Sequence, residues 1–271
     1  MKIAAIQMVS STRLQHNLER AGVLLSEAAA GGAELAVLPE YFCLLGQRDT
    51  DKLTIKESFG SGPIQDFLSN AAREHKMWIV GGTLPLAIDG NERVRNSSLA
   101  FDPTGRCVAR YDKIHLFRFD NGRERFDESR ALERGDTPVL LEVAARDGRI
   151  WKVGMSVCYD LRFPELYRRY AAQGADLLLV PSAFTHTTGE AHWELLLRAR
   201  ATENLAYVLA PAQGGLHENG RRTWGHSMLV DPWGRVLAEQ AEGEGVVAGD
   251  ITAELLTQSR TQLPALEHRI L

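Results

Sequence analysis

The chain has only three cysteines, Cys43, Cys107 and Cys158, and none stands in a C-x-x-C spacing with another. An odd number of this size excludes a disulfide framework and gives no support for a zinc or iron–sulfur cluster. No apolar run approaches the roughly 20 residues that a membrane-spanning helix requires. The opening "MKIAAIQMVSS" is too poor in apolar residues for a signal-peptide core, so a cytoplasmic protein is expected. Charge is nearly balanced at −4 over 271 residues, which offers no general attraction to nucleic acid or to an anionic membrane. G-x-S-x-G and H-E-x-x-H are both missing, which removes the serine nucleophile elbow and the zincin helix. "GEGVVA" (243–248) fits a dinucleotide glycine pattern, but no strand-then-helix context surrounds it, and it reads as a turn. "NSS" (96–98) is a glycosylation sequon in form only.

What is present is an ordinary globular composition, 44% hydrophobic and 24% charged. Short apolar strands alternate with amphipathic segments. Leu14, Leu18, Ala21, Leu25 and Ala28 share one helical face, stopped by Gly31-Gly32. "GPIQDFLSNAAREH" predicts a helix with Pro63 in its first turn. "MWIVGGTLPL" and "VRNSSLAFDPTGRCVARYD" predict two or three strands, the last pair turning at Asp102-Pro103-Thr104-Gly105.

The second half repeats this grammar. "SLAFDPTGRCVA" (98–109) matches "SMLVDPWGRVLA" (227–238), and "AREHKMWIV" matches "ATENLAYVL" at the same offset of 129 residues, Ala72 to Ala201. "GAELAVLPEYF" (32–42) matches "GADLLLVPSAF" (174–184) at a larger offset, so the first half carries extra residues around 43–62. The expectation is one domain, 1–271, of α/β class, made of two similar β-α-β-α-β-β halves with two packed sheets inside and helices outside.

In "KVGMSVCYDLRFPEL" an apolar strand ends at Cys158, charged residues follow at once, and a helix opens behind Pro164. A thiol with a pKa of about 8.5 is mostly protonated at neutral pH, so a nucleophilic cysteine there needs a base or a cation. The alternative is a small buried hydrophobe at a strand end. No histidine is near in sequence; His115, His192 and His226 could serve only through folding. Glu40 follows the apolar "AELAVLP", where a carboxylate must find partners or a raised pKa, as a general base does. Lys113 precedes "IHLF" and could hold an ammonium against an oxyanion. Glu128 lies among so many charges that it reads as solvated.

"LPEYF", "YDKIHLF", "FDES" and "GMSVCYDLRFPEL", in that order, resemble the carbon–nitrogen hydrolase (nitrilase) superfamily. "AHWELLLRARATEN" and "WGHSMLVDPWGRVLA" extend the resemblance to its amidase branch and to nearly the whole chain. The resemblance implies an α-β-β-α sandwich, a metal-free and cofactor-free mechanism, and a dimer. It implies Cys158 as nucleophile, Glu40 as base, Lys113 and the Tyr159 N–H as oxyanion donors, and Glu128 as a further active-site acid. Tyr159 and Phe184 are the candidate oxyanion or substrate contacts. Its motifs are most similar to those of enzymes acting on deaminated glutathione, then omega-amidases acting on 2-oxoglutaramate, then carbamoyl hydrolases. A catalytically silent interaction module on the same scaffold is the reading of a different class.

Two further expectations come from the charged stretches. Asp160, Arg162 and Glu165 are expected to form salt bridges that fix the elbow. The segment "FRFDNGRERFDESR" (117–130) is expected at the mouth of the site, where Arg118, Arg123 or Arg125 would meet a substrate carboxylate.

Overall fold

In the computed structural model, which describes residues 1–270, the first strand already shows the layering. Strand β1 (Lys2–Gln7) buries both faces: Ile3 and Ala5 join one apolar cluster, Ala4 and Ile6 another. A strand buried on both sides reads as a continuous apolar run because its alternate residues enter different cores. Helices α1 (Leu14–Ala30) and α2 (Pro63–His75) cover the outer face over the second cluster, flanking strand β2 (Leu35–Val37) in the chain. The first-half strands then follow as β3 (Trp78–Val80), β4 (Leu84–Ala87), β5 (Val94–Phe101) and β6 (Cys107–Asp112).

A hairpin of β7 (Arg118–Asp120) and β8 (Arg125–Asp127) leads to the second half. There β9 (Leu140–Ala144) and β10 (Ile150–Met155) precede α3 (Pro164–Ala172), β11 (Leu177–Leu179) and α4 (His186–Asn204). Strand β12 (Tyr207–Ala210) and a small hairpin, β13 (Gly214–Leu216) with β14 (Arg222–Trp224), come next. Strands β15 (Ser227–Val230), β16 (Val236–Gln240) and β17 (Gly245–Asp250) and helix α5 (Ala253–Gln262) complete the described elements.

A seven-stranded sheet runs β17-β1-β2-β3-β5-β4, with β6 on the free side of β5; a six-stranded sheet runs β16-β15-β12-β11-β10-β9. The two share one plan. β1, β2 and β3 are parallel neighbours followed by antiparallel β5 and β6; β10, β11 and β12 are parallel neighbours followed by antiparallel β15 and β16. The inner faces meet in the cluster holding Ile3, Leu35, Val37 and Val80 with Leu177, Leu209 and Leu229, and the result is the expected α-β-β-α sandwich.

The duplication extends to backbone detail. Helix α2 ends at Lys76 and α4 at Leu205, both left-handed with φ of +49° and +45°, each donating its N–H to the corresponding pair of helix carbonyls. Non-glycine residues rarely take this conformation, so its recurrence at equivalent positions follows from the repeat. The D-P-x-G turns also match: Gly105 N bonds Asp102 O and Gly234 N bonds Asp231 O.

One expectation is exceeded. The stretch from Met77 to Asp112 forms four strands rather than two or three, because "MWIVGGTLPL" is split. At Gly82, φ is +45° and a Cβ would lie 2.0 Å from the Pro39 carbonyl oxygen, so only glycine lets the chain pass beneath the segment that carries Glu40. Beyond this break, β4 resumes along the same side of β5.

Candidate active site

Glu40 and Cys158 stand just beyond the C-terminal ends of β2 and β10, strands of the two different sheets. Cys158 has φ of +50° and opens a tight turn over 158–162, with its N–H donated to Pro181 O. Left-handed backbone at a non-glycine residue costs about 1–2 kcal/mol and persists only where the surroundings hold it. Asp160 provides that hold. Fully buried, it accepts bonds from Val157 N (2.9 Å), Tyr111 Oη (2.7 Å) and His115 N (3.0 Å), and it contacts His115 Nδ1 at 2.7 Å.

This corrects the salt bridges expected at the elbow. Asp160 pairs with His115, and among the described residues neither Arg162 nor Glu165 forms a salt bridge. Arg162 instead lies over the Tyr159 and Phe184 rings, 5.8 and 5.5 Å from their centroids, and Glu165 is exposed.

Glu40 is 1% exposed and every bond to it comes from a distant part of the chain. Oε1 accepts from Lys113 Nζ at 2.8 Å and from Asn96 Nδ2 at 2.9 Å; Oε2 accepts from Ala183 N at 3.0 Å. Ala183 lies in the second-half copy of the loop that carries Glu40 itself. The Cys158 thiol and the Glu40 carboxylate line the same cavity, close enough for the carboxylate's charge to act on the thiol. Lys113, directly after β6, reaches Glu128 at 2.9 Å with its other side. Glu128 also accepts from Tyr41 Oη and from Phe117 N, both at 2.7 Å. The expectation that Glu128 is solvated is therefore wrong, since its side chain is only 13% exposed. Phe117 N–H and Tyr41 Oη come from outside its charged neighbourhood, and nothing in "RFDESRALERGD" announces them.

Electrostatics follow from burial and from this arrangement. Burial raises the Glu40 pKa above the ordinary glutamate value; Lys113 opposes the rise and Glu128 adds to it. Burial likewise pushes the Cys158 thiol well up, with Glu40 adding and Lys113 opposing, so the resting sulfur is a thiol. For Lys113 burial works against the ammonium, but Glu128 and Glu40 outweigh it and hold its pKa well above the usual lysine value. For Glu128 burial raises the pKa, and Lys113, Lys52 and the Phe117 N–H together bring it below the ordinary range. The cluster thus holds a permanent cation between two carboxylates, one of them suited to taking a proton. The other cysteines differ: Cys43 is buried near Thr83 O and its pKa is pushed up to about 12, and Cys107 opens β6 with its Sγ on Ala109 O and burial raising its pKa.

Cys158, Glu40 and Glu128 open onto a cavity of about 450 Å³. That volume suits a small organic molecule. Its walls come from Tyr41, Lys52, Phe117, Phe126, His186 and residues 219–223, from the β13–β14 turn and the start of β14. The 117–130 segment does sit at this cavity, but through Phe117, Glu124, Phe126, Asp127 and Glu128; Arg118, Arg123 and Arg125 do not line it. Tyr159 and Phe184 face a smaller recess of about 20 Å³ on another side of Cys158, and the Phe184 ring leans on Trp193 at 4.9 Å. None of the three candidate histidines bonds the thiol: His115 is on Asp160, His192 near Arg162, and His226 on Glu239.

Sequence reasoning passed over Tyr41, Asn96, Lys52 and Arg221. Tyr41 stood inside the quoted "LPEYF". Asn96 lies in the mixed "VRNSSLAF" strand, where Arg95, Ser97 and Ser98 flank it, and only the fold shows its Nδ2 donating to Glu40.

A thiol, a carboxylate base and a fixed ammonium converging at the joined ends of two sheets define a thiol hydrolase built on a four-layer sandwich. The chain belongs to the carbon–nitrogen hydrolase family, whose match covers residues 2–261. It is similar to the deaminated glutathione amidase of Synechocystis, 39% identical over 98% of this chain and 97% of that protein. It is also similar to omega-amidase NIT2 of Xenopus tropicalis, 36% identical over 99% and 94%. Among solved structures, Saccharomyces cerevisiae Nit3, a member of branch 10 of the nitrilase superfamily, superposes with a TM-score of 0.88 at 30% identity, over 100% of this chain and 97% of Nit3. The Nesterenkonia amidase, a mutant of which was solved after acrylamide addition at its active-site cysteine, superposes with a TM-score of 0.79 at 28% identity, over 97% and 98%. The protein is accordingly a hydrolase of non-peptide carbon–nitrogen bonds, with amidases as its relatives.

Proposed function

We propose that this chain hydrolyses the amide bond of a small carboxylated 2-oxo acid amide, with deaminated glutathione as the first substrate and 2-oxoglutaramate as the second. The single observation carrying the reading is the Glu40–Lys113–Glu128 charge cluster meeting the Cys158 thiol at the floor of one cavity. Relatives at 36–39% identity that carry these two activities supply the substrate class.

The steps follow from the pKa directions. As Cys158 Sγ attacks the amide carbon, its proton passes to Glu40, whose raised pKa makes it a competent acceptor. Negative charge develops on the carbonyl oxygen and is met by the Lys113 ammonium and by the N–H of Tyr159, next to the nucleophile in the turn. One such donor typically accounts for about 2.7–4 kcal/mol of barrier. Glu40 returns the proton to the departing nitrogen, which leaves as amine or ammonia, and a thioester remains on Cys158. Water deprotonated by Glu40 then hydrolyses the thioester to the free acid and regenerates the thiol. Glu128 keeps Lys113 in place, and Phe184 shapes the recess beside the sulfur.

We further read residues 1–271 as one catalytic domain acting in the cytoplasm as a homodimer. Leu195 on α4 and Trp233 and Leu237 around the β15–β16 turn are 68%, 46% and 45% exposed, an apolar surface in keeping with a partner copy. Sedimentation equilibrium at twice the monomer mass is expected, and a monomer at micromolar concentration would remove that part.

The experiment is product release from deaminated glutathione, 2-oxoglutaramate and an N-carbamoyl amino acid, wild type beside Cys158→Ala. Turnover of the first two that vanishes in the variant is expected. Inactivity on every amide, with a Cys158 no more reactive toward iodoacetamide than Cys43, would favour the silent module instead.

A further inference from the structure

Apart from Lys113, three cationic side chains reach the cavity wall: Lys52, Arg221 and Arg222. Two are already engaged. Arg221 Nη2 lies 2.8 Å from Asp49, and Arg222 Nη2 lies 2.7 Å from Glu242. Lys52 is different. Among the described residues no carboxylate comes within 4.0 Å of its ammonium. The ammonium instead rests 4.3 Å above the centroid of the Tyr41 ring. It faces both the main cavity and a side recess that shares Tyr41, Leu45, Asp49 and Arg221 with it. Burial pulls its pKa down while Glu128, Asp49 and Glu40 work the other way, the condition of a half-buried cation short of a counter-ion.

Position gives this cation its use. Tyr41 Oη bonds Glu128, and Glu128 bonds Lys113, so Lys52 sits one phenol ring away from Glu128, the carboxylate that holds the oxyanion-facing Lys113. Glu124 and Asp127 also stand on the walls, while Asp49 is paired with Arg221. Of the Lys and Arg side chains on that wall, Lys52 alone lacks a carboxylate partner among the described residues, so an anionic group on the substrate would find its counter-charge there. We propose that Lys52 is the specificity-determining anchor for a carboxylate on the acyl part of the substrate. It would make the enzyme prefer mono-amides of dicarboxylic acids to uncharged amides of equal length. The cation–π seat on Tyr41 holds the ammonium for that contact. The inference rests on the amidase reading and assigns the selectivity of the same site.

The test compares glutaramate (the mono-amide of glutarate) with uncharged valeramide, as the ratio of their kcat/KM values in wild type, Lys52→Met and Lys52→Arg. A charge-assisted contact removed from a binding site should lower the ratio about 30-fold in Lys52→Met, mainly through KM for glutaramate. Lys52→Arg should keep the ratio within about fivefold, since the charge remains. Equal losses on both amides would overturn the inference and leave Lys52 as electrostatic support for Glu128. A wild-type enzyme that hydrolyses both amides without preference would overturn it too. A wild type that hydrolyses neither, with an unreactive Cys158, would remove the amidase reading and this inference with it.

Discussion

Lys113 Nζ stands 2.8 Å from Glu40 with both side chains essentially out of contact with solvent. A buried ion pair contributes little net stability against an apolar replacement, but removing one partner strands the other. Here the stranding would be double, because Glu128 shares the same ammonium. Lys113→Met should cost about 3–5 kcal/mol in urea unfolding as well as abolish turnover. Lys113→Met combined with Glu40→Gln should recover part of that stability and none of the activity. A single variant as stable as wild type would show that the carboxylates are solvated rather than buried.

Glu40→Gln separates activity from stability. With Glu40 as the base of the proposed mechanism, the variant should lose at least about 10³-fold in kcat/KM. The folded pKa of Glu40 is raised, so the fold favours the protonated form; that advantage is complete below the unfolded value of 4.5 and is lost as pH rises through the folded value. The amide has no charge to accommodate. The difference in melting temperature, variant minus wild type, should therefore rise between pH 4.5 and pH 8, whatever the loss of accepted hydrogen bonds costs at both. Calorimetry at the two pH values checks this, and a difference that does not change with pH, or that falls, would contradict the burial argument. The acid limb of the wild-type pH–rate profile should also lie above the ordinary glutamate range.

Lys76 ends α2 in the left-handed region with its side chain exposed. Glycine adopts that conformation without the Cβ penalty and is the usual residue there. Lys76→Gly should raise stability by up to about 1 kcal/mol, with activity unchanged. Leu205→Gly, at the equivalent place in α4, should be destabilising because Leu205 is buried in addition to being left-handed. Two variants shifting in the same direction would mean that burial is not what distinguishes these caps.

Much of this was legible in the chain itself, and the parts that were not share a cause. The repeat of "SLAFDPTGRCVA" in "SMLVDPWGRVLA" carried the two-sheet plan down to matching turns, because turn chemistry is local. Glu40 and Cys158 each follow an apolar strand and Lys113 precedes the apolar "IHLF", and a charged or reactive group in such a place is visible without a structure. Glu128 was hidden because its burial comes from Tyr41, 87 residues away in the chain, and from the Phe117 N–H. Arg118, Arg123 and Arg125 were misplaced for the converse reason: in the β7–β8 hairpin the cavity takes Phe126 and Asp127, while Arg118 and Arg125 are exposed. Lys52 lies in the stretch where the first half departs from the second, so the repeat offered no guide to it.

In the proposed mechanism catalysis passes through a thioester on Cys158. Intact-protein mass spectrometry of wild type, acid-quenched during turnover of 2-oxoglutaramate or deaminated glutathione, should catch it. A single added acyl group is expected, mapped to the peptide containing Cys158, removed by hydroxylamine and not formed by Cys158→Ala. Steady turnover in the Cys158→Ala variant, or an acyl group mapped to Cys43 or Cys107, would contradict it.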